Sequence, residues 1–132
     1  MAVRSVRGLL QAAALAFAAP AVALAADACP RIEVAAPGAA PLATLADVTS
    51  ATAARRLDGV DGIGFNVRPA AGARLRAYTA ANIGKSLSIS VDGRARVMAI
   101  RDPLAGDAFW ITPMEIGEAR ILAGRVNNCV TP

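Results

Sequence analysis

The side chains able to do chemistry in this chain are ten carboxylates, fourteen basic groups of which all but Lys85 are arginine, and two cysteines; histidine is absent. Without histidine there is no Ser-His-Asp triad, no Cys-His dyad, no imidazole metal site and no histidine pH switch. Two cysteines cannot build a four-thiolate zinc site, and no glycine-rich loop followed by Lys-Ser or Lys-Thr is present to cradle a phosphate. Asp102 and Asp107 flank Gly106 in the manner of a paired-carboxylate site, but solvated turn residues are the simpler reading. Asp58-Gly59-Val60-Asp61-Gly62 hints at a calcium loop and lacks the further ligands and closing glutamate such a loop needs, so it reads as a turn. No nucleophile has a base beside it, which disfavours an exported hydrolase. The chain reads as a non-enzyme that needs no cofactor and no metal.

The cysteines acquire a meaning from the N-terminus. Met1 to Arg7 carries Arg4 and Arg7 without an acid, Gly8 to Ala19 is apolar, Pro20 breaks the run, and Ala23-Leu24-Ala25 supplies small residues at a cleavage point. This is the three-part pattern of a secretory signal, and its apolar stretch falls short of the ~20 residues a membrane-spanning helix needs. The expectation is cleavage after Ala25, a periplasmic product and no mature membrane span. Fourteen basic residues less Arg4 and Arg7 leave twelve against ten acids, a net charge of +2, which removes the electrostatic case for nucleic-acid binding. Cys29 and Cys129 then sit near the two ends of an exported domain, where an even pair is most simply a disulfide. Closing a loop of about 100 residues is worth ~4.7 kcal/mol in the chain-entropy model.

The elements that must position these groups follow from periodicity. Arg31 to Ala35 reads as a short strand and 36–41, rich in proline and alanine, as a connector. Residues 42–57 suit either helix or extended chain. Ile63, Phe65 and Val67 alternate with Gly64, Asn66 and Arg68, a half-buried strand. Pro69 opens a helix with Ala71, Leu75, Tyr78 and Thr79 on one face, and Gly84 is placed to stop it. Ser86 to Val91 alternates strictly and leads through Asp92-Gly93 into Arg94 to Val97, a hairpin. A two-residue Asp-Gly loop would put Arg94 and Arg96 opposite the apolar Val91 and Ile89. A three-residue loop from Val91 to Gly93 instead pairs Ile89 with Ala95 and Leu87 with Val97 inside, and is the register expected. Phe109 to Ile111 reads as a short strand; of Phe109 and Trp110, one should fill the core and the other cover a loop. Thr112-Pro113-Met114-Glu115 has the form of a capping box opening a helix to about Gly124, and Arg125 to Val130 reads as a last strand.

In that order of elements, the segment from Asp47 to Val126 resembles the head subdomain of the periplasmic domain of SecD, part of the SecDF export accessory. Phe65-Asn66-Val67-Arg68-Pro69-Ala70-Ala71-Gly72-Ala73 with Thr79 is similar to the family's strand entering a Gly-Ala helix ahead of a threonine. Gly84 to Gly93 resembles its hairpin "G-x-x-L-A-I-x-x-D-G". Pro103 to Gly106 and Glu118 to Ala123 look like its "P-I-x-x-G" loop and "E-A-x-x-L-A" helix. The resemblance implies that Val48 to Arg56 is a strand and leaves the start of the last helix open between Pro113 and Glu115. It also implies an α+β fold, a mostly antiparallel sheet with two helices packed on one face. The expected organisation is a signal peptide over 1–25, an N-terminal strand and connector over 26–46, and the head-like domain over 47–132. The cysteine pair and the N-terminal strand lie outside the family pattern, and no membrane-spanning helix is present to couple proton flow to movement.

What the resemblance implies for function is contact with unfolded or translocating polypeptide; the alternative is a structural or regulatory module docking on another envelope protein. The candidate binding face follows from the three-residue hairpin loop. It puts Ser88, Ser90, Arg94 and Arg96 on the polar side of the sheet, together with Asn66 and Arg68, a hydroxyl-rich cationic surface able to meet carboxylates and backbone carbonyls. An ordinary solvated sheet face is the plainer interpretation.

Overall fold

The structure is a computed structural model and describes residues 28–131; the signal segment and its cleavage point lie outside them. Seven strands and two helices follow in the order β1 (Ile32–Ala35), β2 (Pro41–Thr44), a 3-10 turn (Leu45–Asp47), β3 (Val48–Arg55), β4 (Asp61–Val67), α1 (Pro69–Ala81), β5 (Ser86–Val91), β6 (Arg94–Ala99), β7 (Ala108–Ile111) and α2 (Ile116–Asn127). The fold is α+β and its strand pairs are antiparallel, as the sequence implies. The strands divide into two sheets, ordered β2-β1-β5-β6 and β3-β4-β7. β1 therefore lies inside the first sheet, paired with both β2 and β5, so the segment before Asp47 contributes two strands to the same body.

The two-residue period of the strands decides what each face buries. In the second sheet Ile63, Phe65 and Val67 of β4 point inward with Ala51, Phe109 and Ile111. Phe109 fills the core, its ring 5.0 Å from that of Phe65 and nearly parallel to it. In the first sheet Ile32, Val34, Leu87 and Ile89 point inward, and α1 and α2 close the same core with Ala71, Leu75, Ala119, Leu122 and Val126. Alanines that are fully buried at Ala71 and Ala119 let helix backbone approach closely. Each large aliphatic or aromatic side chain withdrawn from water contributes about 1.5–3 kcal/mol.

The loop between β6 and β7 is strapped to α1. Thr79 Oγ1 donates to the Leu75 carbonyl at 2.8 Å and accepts from the Leu104 N–H at 2.9 Å, which satisfies a hydroxyl that is 2% exposed. Arg76 pairs with Asp107 and donates to the Gly106 carbonyl at 2.8 Å. A side chain at Gly72 would collide with the Asp107 carboxylate, so this close approach requires glycine. Asp107 is thus one half of an ion pair with Arg76 rather than a partner for Asp102.

The structure resolves the start of the last helix and corrects the expected last strand. α2 begins at Ile116 with Glu115 as its cap, not at Pro113: the Glu115 carboxylate accepts from the N–H groups of Gly117 (2.8 Å) and Glu118 (3.1 Å). Residues 125–127 continue α2 instead of forming a strand. Trp110 lies over Gly64 on the outer face of the second sheet, where a Cβ would stand 2.8 Å from its ring, and shares a groove with Leu57 and Asp58 of the β3–β4 loop.

Candidate polypeptide-binding cleft

The β5–β6 hairpin turns in two residues. Val91 pairs with Arg94, Ser90 with Ala95, Ile89 with Arg96, Ser88 with Val97 and Leu87 with Met98, which overturns the register expected from a three-residue loop. Asp92 (φ 52°) and Gly93 (φ 86°) are both left-handed, the conformation of the two-residue hairpin turn whose twist matches that of the strands. The turn is reinforced from outside. Asp92 makes two hydrogen bonds to the Arg31 backbone, its N–H donating to the Arg31 carbonyl at 2.8 Å while its side-chain Oδ1 accepts from the Arg31 N–H at 2.9 Å. Its Oδ2 accepts from Arg125 of α2 at 2.9 Å. These hydrogen bonds, the Arg31 N–H foremost, hold the Asp92 carboxyl below the usual carboxylate range, against a smaller opposing effect of burial.

The charges tolerated on the apolar face explain why this register wins. β6 is the last strand of its sheet, so Arg94 stays exposed and Arg96 is half-buried, its stem lying along the sheet while Nη1 donates to the Pro113 carbonyl at 2.6 Å. No arginine is forced into the dry core. The penalty that argued for the longer loop applies only to a strand backed by packed helix along its whole length.

The six residues expected to share one face are therefore split. Ser88 and Ser90 lie on the outer face of the first sheet with Glu33, Ala95 and Val97, whereas Arg94 and Arg96 lie on the opposite face. Asn66 belongs to the second sheet, where its side-chain amide donates to Ser50 Oγ at 2.9 Å. Arg68 caps the end of that sheet by donating to the carbonyls of Ala46 (3.4 Å) and Thr131 (2.9 Å).

What the hairpin creates instead is a cleft of about 690 Å³ between its inner face and α2. Ile89, Val91, Ile111 and Leu122 form its floor, and Ile121, 69% exposed, stands on its helical rim. Arg94 and Arg96 line one wall, Glu115 and Glu118 the other, and the Asp92–Arg125 pair closes one end. Arg125 Nε is buried there without a hydrogen-bond partner. Beside the cleft runs the free edge of β6. Since Val91–Arg94, Ile89–Arg96 and Leu87–Met98 are the hydrogen-bonded pairs of a two-residue hairpin, the backbone N–H and C=O groups of Ala95, Val97 and Ala99 point away from the sheet. Val97 is 62% exposed. An apolar floor, charged walls and an open row of backbone donors and acceptors are what an extended polypeptide needs to add as a strand. This edge was not found from the sequence; the Asp-Gly dipeptide carried the signal.

A second groove, of about 730 Å³, lies on the outer face of the β3-β4-β7 sheet around Trp110, Gly64, Thr52 and Leu57. It lies across the sheet face, with Thr52 of β3 and Ala108 and Trp110 of β7 among its lining. Among the described residues no cluster of three carboxylates or cysteines suits a metal ion. No helix among them is long and apolar enough to cross a membrane.

Compared with known proteins, the chain matches no family model and no curated protein. Among solved structures it is similar to one of SecDF, described as a membrane component that enhances protein export, with 28% identity, a TM-score of 0.62 and coverage of 71% of this chain. The chain carries a SecDF head-like domain. A crystal structure of SecDF in a super-membrane-facing form is similar to the same extent, with 28% identity, a TM-score of 0.63 and 70% of this chain covered. The head-like domain spans only 44% of the first of these chains and 13% of the second. The Cys29–Cys129 disulfide joins two ends whose Cα atoms are 5.9 Å apart across a separation of 100 residues.

Proposed function

We propose that this head-like domain is a non-enzymatic polypeptide-binding module of the periplasm that assists protein export, taking extended segments of unfolded chain at the β6 edge and the adjoining cleft. The observation that carries the reading is the coincidence of that open edge with an apolar cleft in a fold similar to SecDF. Backbone pairing along β6 is indifferent to sequence, which suits a protein that must meet many clients, while the floor of Ile89, Ile111 and Leu122 rewards apolar side chains. The disulfide and the signal-like N-terminus support an oxidising, exported setting. The reading commits to passive binding.

The test uses the free edge itself. Val97→Pro removes an N–H that faces outward and leaves the β5–β6 ladder its bonds, so the domain should fold as before. Binding to a reduced, carboxymethylated unfolded protein, followed by fluorescence anisotropy, should be measurable for the native domain and at least tenfold weaker for Val97→Pro. Equal binding by both forms would reject the edge, and no binding by the native form would reject the function.

A further inference from the structure

Resting on the reading of β6 as a polypeptide-binding edge, we infer that the edge selects extended segments in which carboxylates alternate with apolar residues. From Arg94 to Arg101 the chain carries three arginines and no acid. Among the described residues none of the ion pairs involves Arg94, Arg96 or Arg101. Arg94 and Arg96 share the cleft face of β6, while Ala95, Val97 and Ala99 share the other.

A strand laid along the free edge continues the pleat of the sheet, so its residues alternate between those two faces. Side chains on the cleft face come opposite or diagonal to Arg94 and Arg96, at the ~5–8 Å separations where opposite charges attract across a ladder. Those on the far face meet Val97, Ala95 and Ala99, a surface with no basic group. Charge on one face and apolar side chains on the other is therefore the complementary pattern. Of the three acids that line the cleft, two have carboxylates engaged by other groups, and the third stands on the wall away from β6. Asp92 is paired with Arg125, Glu115 is engaged by the Gly117 and Glu118 N–H groups, and Glu118 projects from the helical wall across from β6.

The same arginines argue against a second copy of this chain as the occupant. Two domains joined edge to edge along β6 by a twofold axis would bring Arg94 and Arg96 of both copies onto one face of a continuous sheet. Like charges so placed are a known defence of edge strands against self-association.

The experiment compares three synthetic nine-residue peptides that alternate valine with glutamate, glutamine or lysine, titrated against the purified domain by fluorescence anisotropy at low and high salt. The glutamate peptide should bind about tenfold more tightly than the glutamine peptide, and the lysine peptide most weakly. The margin should shrink at high salt. Arg94→Glu with Arg96→Glu should reverse the order, whereas Arg120→Glu, the same charge change on α2 away from the cleft, should leave it intact. If all three peptides bind alike, or the double variant keeps the original order, the selectivity is overturned while the edge reading stands. If none binds and the unfolded protein does not bind either, the edge reading itself fails. Preference for anionic vesicles over the glutamate peptide would assign the arginines to a lipid surface and overturn the inference.

Discussion

Asn127, in the last turn of α2, treats Ala51 of β3 as a neighbouring strand would: its Oδ1 accepts from the Ala51 N–H at 2.8 Å and its Nδ2 donates to the Ala51 carbonyl at 2.9 Å. β3 is the outermost strand of its sheet, so these backbone groups would otherwise face open edge. One edge of the molecule is thus closed by a side chain while the β6 edge stays open. Asn127→Ala should lower the unfolding free energy by about 1–2 kcal/mol in urea titration, and Asn127→Asp, which keeps the acceptor and loses the donor, should recover only part of it. No change in either variant would show that the edge does not need this cap.

Non-reducing mass spectrometry of the native protein should find both thiols blocked, with Cys29 and Cys129 in one linked peptide pair. Replacing both by serine should cost about 2–4 kcal/mol of stability, below the full chain-entropy figure because an unfolded chain that keeps some compactness loses less freedom when cross-linked. Free thiols would reject the bridge.

Much of this was legible beforehand. Ile63, Phe65 and Val67 alternate over enough residues to fix both strand and face, and the terminal cysteines needed only a compartment to become a bridge. β2 was hidden because its four residues begin with proline and carry no alternation of their own. The hairpin register was misjudged because a charge opposite an apolar residue is costly only where the strand is covered, and coverage is tertiary information. Division of the strands into two sheets, which separates Asn66 and Arg68 from Ser88 and Ser90, is likewise invisible to any local pattern.

Asp92 makes stability depend on pH in one direction. Its folded carboxyl lies below the unfolded value of about 3.9, so the stabilisation is present above that value and is lost as pH falls through the lower folded one. Asp92→Asn, which suits the left-handed turn position, should flatten the fall in stability as pH drops below the unfolded value of about 3.9, read by thermal melts against the native domain. Parallel profiles would mean that the Arg31 and Arg125 contacts do not favour the ionised form.

Thr79→Val replaces a buried hydroxyl by a methyl group of similar size and leaves the Leu104 N–H without its acceptor. A loss of about 1–3 kcal/mol is expected, with faster hydrogen exchange at Leu104 and the residues after it, whereas Thr79→Ser should retain the slow exchange. Unchanged exchange in the valine variant would show that Arg76 alone holds the strap.

The position of β1 inside its sheet has a consequence for when this molecule can form. β1 is made early, yet one of its two neighbours, β5, begins more than fifty residues later, and the β5–β6 hairpin must be complete before the first sheet has all its strands. Cys29 waits longer still, for a partner 100 residues further along the chain. Sequence-distant pairings of this kind slow folding, because the chain must be brought together before any contact repays the loss of freedom. A chain emerging N-terminus first would therefore hold β1 and β2 as an unsupported pair until β5 had appeared. The disulfide seals a finished domain; it cannot guide an unfinished one.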